Sequence, residues 1–143
     1  DSMDCGPTCL KMIAEYYGKT YSLDTLRSYS SIGRQGVSLL GISKAAEKIG
    51  MRTVGCSLNY DALKEKAPLP CIVHWNQNHF AVVYKLKRGK VFVADPGKGL
   101  LSYTKDDFCR NWCGAKVNEE SKQSNIALLK SHKYKNSCSI SKI

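Results

Sequence analysis

Along the start of the chain, apolar positions recur every three or four residues. Leu10, Ile13, Ala14 and Tyr17 fall on one helical face, and the spacing predicts a helix from Asp4 to Gly18. Asp4 is expected to cap its start. Pro7 lies in the first turn, where a missing N–H costs nothing, and Gly18 stops the run. A short second helix is expected after Ser22, built on Leu23 and Leu26. The stretch GRQGVS reads as a glycine-punctuated loop. Ser38 then caps an amphipathic helix with Ile42, Ala45, Ala46 and Ile49 inward and Gly50 at its end.

The period changes after Gly50. MRTVGCSL reads as a strand, NYDALKEK as a short helix capped by Asn59, and PLPCIVHW as a strand introduced by prolines that cannot extend a helix. HFAVVYKLKRGKVFVADPGKG holds two β-branched runs joined at Arg88-Gly89 and stopped at Asp95-Pro96-Gly97, a hairpin pattern. Thr104 with Asp107 is a capping-box variant for a helix through Phe108 and Trp112. After a polar loop, NIALLK reads as the last strand. Helices first and strands after them give an α+β layout, N-terminal helices packed on an antiparallel sheet. One domain is expected over residues 1–130, with residues 131–143 as a polar, basic tail or linker.

Composition narrows the classes. At 143 residues, 43% of them apolar, the chain can bury a core of its own. No run approaches the roughly 18 apolar residues of a membrane span, and the N-terminus lacks a secretory pattern, so membrane insertion is not expected. A net charge of +10 favours polyanions or acidic peptides. The lysines are scattered, however, with no arginine-rich cluster interleaved with aromatics, and no nucleic-acid partner is expected. Seven cysteines, an odd count, argue against a secreted disulfide framework and for a reducing compartment.

The candidate chemistry starts at DCGPTC. Cys5 falls in the opening turn of the first predicted helix, where unpaired N–H groups and the macrodipole favour an anion, and such a position supports a nucleophilic thiolate. Gly6 and Pro7 are expected to leave the approach to its sulfur uncrowded, while Cys9, one turn deeper, reads as core. Of the three histidines, His132 lies in the tail and His74 inside an apolar strand; His79 opens the hairpin. Pairing through the Arg88-Gly89 turn brings Asp95 opposite Val82, one to three residues from His79. Cys5, His79 and Asp95 are thus a candidate nucleophile, general base and orienting carboxylate.

DCGPTCLKMIAEYYG, NHFAVVY and ADPGKG occur in that order, and together they resemble the bacteriocin-processing cysteine peptidases. These are papain-like domains at the cytosolic N-terminus of peptidase-containing ABC transporters, and the likeness runs from Asp1 to about Leu129. It implies a papain-like fold, with Cys5, His79 and Asp95 matching the family's catalytic cysteine, histidine and aspartate. It implies no cofactor or metal. It also implies a precursor peptide with a double-glycine leader as substrate, and the transmembrane and ATPase domains of a transporter, in cis or in trans, as partners. The location implied is the bacterial cytoplasm, at the inner membrane if part of a transporter. A leader helix is expected in a nearby groove, for which Trp75 and the first-helix tyrosines are candidates, with core packing as their other role. The family's oxyanion-hole glutamine, six residues before the nucleophile, falls upstream of Asp1, and no GxxxxGK[ST] follows, so an excised domain or a stand-alone peptidase is expected.

Three other readings stay open. Cys5 and Cys9, four apart on a helix, are spaced for a thiol–disulfide pair. Cys5-x₃-Cys9 with Cys109-x₃-Cys113 has zinc-ligand spacing. The chain would otherwise be a module that binds a leader without cutting it.

Overall fold

The computed structural model describes residues 4–31, 36–75, 79–113, 126–130 and 141–142, the last two segments and Cys113 by their backbone. The elements run α1 (Cys5–Tyr16), α2 (Leu23–Tyr29), α3 (Leu39–Lys48), β1 (Thr53–Ser57), α4 (Tyr60–Lys66) and β2 (Cys71–Trp75). They continue with β3 (His79–Lys87), β4 (Lys90–Asp95), β5 (Gly99–Thr104), α5 (Lys105–Cys113), β6 (Ile126–Lys130) and β7 (Ser141–Lys142).

Local chemistry sets most of these boundaries. Ser22, Ser38 and Asn59 accept hydrogen bonds from the backbone N–H groups of Thr25, Gly41 and Ala62, and so start α2, α3 and α4. Thr104 Oγ1 does the same for α5, accepting from the Asp107 N–H. Gly18 and Gly50, at φ of 84° and 85°, end α1 and α3 in left-handed turns. There the N–H groups of Lys19 and Met51 reach back to the carbonyls of Ala14 and Ala46. Tyr17, expected inward, is instead 39% exposed, with its ring edge-on to Tyr16. It is the C-cap residue of α1, where the chain leaves the helical path.

The strands form one seven-stranded sheet in the order β5-β4-β3-β2-β6-β1-β7, with antiparallel neighbours throughout. Two of its edges differ from the sequence reading. Gly99–Thr104, unassigned there, forms the edge strand β5; Leu100, Leu101 and Tyr103 do not alternate, and none of its residues is fully buried. NIALLK is not the last strand either, because Ser141–Lys142 pair with β1 inside the segment read as a tail; residues 131–140 of that segment, His132 and Cys138 among them, lie outside the described residues.

The α+β layout is the one expected, and the sheet is covered by helices on both faces. Leu10, Ile13, Leu26, Ile42 and Ala46 of α1–α3 pack with Ile72, Phe80, Val82 and Ala94. Val73, Ala81, Val83, Val91 and Val93 point the other way, onto Leu63 of α4 and Phe108 and Trp112 of α5. A continuous apolar run such as FAVV, rather than an alternating one, is what a strand buried on both faces requires.

One irregularity positions the site. Near the Arg88-Gly89 turn, Lys87 pairs with Lys90 and Leu86 with Val91, but beyond it Val83 pairs with Val93 and Val82 with Ala94. Tyr84 is the extra residue of a β-bulge opposite Phe92, and both Tyr84 and Lys85 set side chains against that ring. Continued in this register, Asp95 comes level with Ala81, not with Val82 as the unbroken hairpin predicts. A slip of one residue reverses the face, so the bulge turns Asp95 to the face shared by Ala81 and His79.

Candidate active site

Cys5 is the first residue of α1, at the end of the helix where backbone N–H groups point outward. The uncrowded approach expected from Gly6 and Pro7 is not what the packing gives. Cys5 is only 5% exposed and Pro7 is fully buried. A Cβ on Gly6 would lie 3.0 Å from Ile42 Cδ1 and 3.4 Å from Val37 Cβ. The glycine therefore lets α1 close against α3, and Cys5 is left almost buried.

On the sheet, His79 opens β3 and Asp95 closes β4. His79 Nε2 lies 3.0 Å from Asp95 Oδ1. The carboxylate is 3% exposed, and the N–H of Gly97 donates to the same oxygen at 2.8 Å. Asp95 is thus a turn aspartate and the partner of His79 at once: the tight Asp-Pro-Gly turn fixes its rotamer, and the rotamer holds the imidazole. Because a carboxylate only accepts, Nε2 carries the proton of the neutral ring, and Nδ1 is left with its lone pair.

α1 packs on β3. Cys5 shares its apolar cluster with Phe80 and Ala94, which adjoin His79 and Asp95 in the chain but, by strand alternation, face the other side of the sheet. Beneath lies Cys9, fully buried. Burial first, then the charges of Cys5 and Asp95, push its thiol well above the ordinary value of 9.0. Across the sheet rim, burial and then Asp95 raise the Tyr103 phenol. The carboxylate is therefore felt from both faces of the sheet, at the end where α1 begins.

The remaining candidates fall elsewhere. His74 stacks on Phe80, ring centroids 4.9 Å apart, and burial lowers its imidazole below 6.5. Trp75 is core, packed against Tyr103 and Phe108, whereas Tyr16 and Tyr17 are exposed. Among the described residues, no group of three or more His, Cys, Asp or Glu is disposed to hold a metal ion.

Sequence reasoning missed Arg27. Asp4, expected to cap α1, makes no side-chain bond to the helix. Both its oxygens are taken by Arg27 of α2, Nε and Nη2 each donating at 2.8 Å. A third nitrogen, Nη1, donates to Asp24. Pro7, at the third helical position, lacks one of the N–H groups a cap would bind, which leaves the Gly6 N–H as the one Asp4 would take. A contact between residues 23 positions apart leaves no periodic trace in the sequence.

Comparison with known proteins places this arrangement. The pattern of the Peptidase C39 family matches residues 1–124. The colicin V secretion/processing ATP-binding protein CvaB of Escherichia coli is 32% identical over 136 residues, 90% of this chain and 19% of its own length. The lactococcin-G-processing and transport ATP-binding protein LagD of Lactococcus lactis subsp. lactis is 35% identical over 119 residues, 80% of this chain and 17% of its own. The chain thus spans under a fifth of the length of these relatives. Among solved structures, a double glycine motif protease from an AMS/PCAT transporter, in complex with the leader peptide, superposes with a TM-score of 0.79 at 29% identity. That match covers 90% of this chain and 84% of the other. A family pattern that matches residues 1–124, on this sheet and with these similarities, makes the chain a papain-like member of the Peptidase C39 family.

Proposed function

We propose that this chain is a cysteine endopeptidase that removes the leader of a precursor peptide by cutting after a double-glycine-type motif, with Cys5 as nucleophile, His79 as general base and acid, and Asp95 as the orienting carboxylate. The observation that carries this is the 3.0 Å bond from His79 Nε2 to Asp95 Oδ1, made beside the strand that α1 packs on. With Nε2 committed to Asp95, Nδ1 serves the sulfur.

The chemistry then follows in two steps. The Cys5 thiolate attacks the carbonyl carbon of the second small residue. The C–N bond breaks, the imidazolium of His79 gives its proton to the leaving amine, and a thioester remains. Water, its proton taken by His79, attacks the thioester and releases the leader's carboxylate and the thiol. The near-complete burial of Cys5 supports specificity for glycine, whose backbone carries no side chain to crowd the sulfur.

The names of the relatives, secretion and processing with ATP binding, support a peptidase that works with the transmembrane and ATPase domains of an ABC transporter, in cis or in trans, at the cytoplasmic face of the bacterial inner membrane. Among the described residues, no helix is long and apolar enough to cross a membrane. The test is mass spectrometry of a double-glycine precursor incubated with the chain and with Cys5→Ala. A single cut after the second glycine is expected from the first and none from the second. Cleavage that survives in Cys5→Ala would sink the mechanism.

A further inference from the structure

Asp4 immediately precedes Cys5 at the amino end of α1, where an aspartate ordinarily turns its carboxylate onto the helix. Here that charge would sit on the same N–H groups and the same positive pole that favour a sulfur anion at Cys5. Two anions would share one helix end. The structure avoids this. The Asp4 carboxylate faces α2 instead, held in a two-pronged bond by Arg27, whose remaining nitrogen is anchored to Asp24.

We infer that Arg27 is a positioning residue for Cys5: by holding both oxygens of Asp4 it keeps that carboxylate off the amino end of α1 and leaves the helix pole to the sulfur. Within α1, Cys9 feels the charges of both Cys5 and Asp95, while α3 brings Ile42 to the helix tip. Arg27 is a cation whose charge stays fixed at every working pH. In agreement, the hydrogen bond from Arg27 holds the Asp4 carboxyl below the ordinary value of 3.8, so Asp4 carries its full charge wherever a thiolate can form.

The inference rests on Cys5 being the reactive sulfur of the proposed function, and the test separates the two. The rate of iodoacetamide alkylation at Cys5, mapped by mass, and the ultraviolet thiolate absorbance at neutral pH are measured in five chains. These are the parent chain, Arg27→Gln, Arg27→Lys, Asp4→Asn and the double variant Asp4→Asn/Arg27→Gln. Arg27→Gln releases Asp4 onto the helix end and is expected to slow alkylation about two- to five-fold, the effect of one charge at a helix terminus. Thiolate absorbance falls with it. Arg27→Lys, which keeps the charge but loses the fork, lies between. In the double variant no carboxylate remains to swing back, and the parent rate returns; Asp4→Asn alone is at least as fast as the parent. A mere staple between α1 and α2 gives another pattern, with Asp4→Asn, Arg27→Gln and the double variant all slowed alike. That pattern, or an Arg27→Gln rate equal to the parent's, overturns the inference while leaving Cys5 as the nucleophile. An inert Cys5 in the parent chain removes both.

Discussion

His79 and Asp95 are joined at 3.0 Å through Nε2 and Oδ1, and the oxygen that holds the imidazole is itself held by the Gly97 N–H. The histidine's orientation is thus inherited from a turn. His79→Ala is expected to lower kcat by about 10²–10⁴-fold, the usual contribution of a positioned acid–base group, with KM little changed. Asp95→Asn, which keeps the shape but exchanges the charge, gives a smaller loss, also in kcat. Steady-state cleavage of a double-glycine peptide measures both. A fall confined to KM would assign these residues to binding.

Tyr84 bears on the same pair from a distance. Deleting it removes the bulge, returns Asp95 to the level of Val82 and turns its carboxylate to the other face. The sheet is expected to persist by circular dichroism while peptide cleavage is lost. Retained cleavage would show that the bulge does not set the pair.

Two glycines test how closely the helices approach. At Gly41 an added Cβ would meet the Ser30 carbonyl oxygen at 2.4 Å, a backbone atom that cannot step aside; at Gly6 it would meet the end of Ile42 at 3.0 Å. Gly6→Ala should cost about 1–3 kcal/mol by overpacking, and Gly41→Ala more, despite alanine's better helix propensity. Ile42→Val, which removes the Cδ1 atom, should return part of the loss at Gly6 and none at Gly41. Thermal melts of the three single variants and the two doubles with Ile42→Val decide it.

His74 gives a pH dependence whose sign is fixed. Burial lowers its folded-state value below 6.5. The unfolded chain therefore takes up a proton first as pH falls. The stability it contributes is fully present above 6.5 and is lost as pH drops through the folded-state value. His74→Phe keeps a ring on Phe80 and cannot titrate, so its melting temperature should fall less than the parent's between about pH 7.5 and 5. Equal falls would contradict this.

Cys9 and Cys71 are fully buried, and burial pushes the Cys71 thiol to about 12. Neither should take up iodoacetamide at neutral pH in the folded chain, and both should react once it is unfolded. Peptide mapping reads this directly, and native-state labelling of either would refute the packing described.

What the sequence by itself determined is what neighbouring residues decide: the caps at Ser22, Ser38 and Asn59, the glycine stops at 18 and 50, the hairpin at Arg88-Gly89, the α+β order, and the three motifs around Cys5, His79 and Asp95. Those signals act within a few residues, so they are written in local order. The tertiary structure alone decided the rest. The bulge at Tyr84 depends on how two strands share Phe92, and the largely exposed edge strand β5 is held by pairing with β4. The closure of Gly6 on Ile42 and the capture of Asp4 by Arg27 join elements far apart in the chain. Each of these is a competition between a local preference and a distant partner, and the partner becomes visible only when the fold brings it within bonding distance.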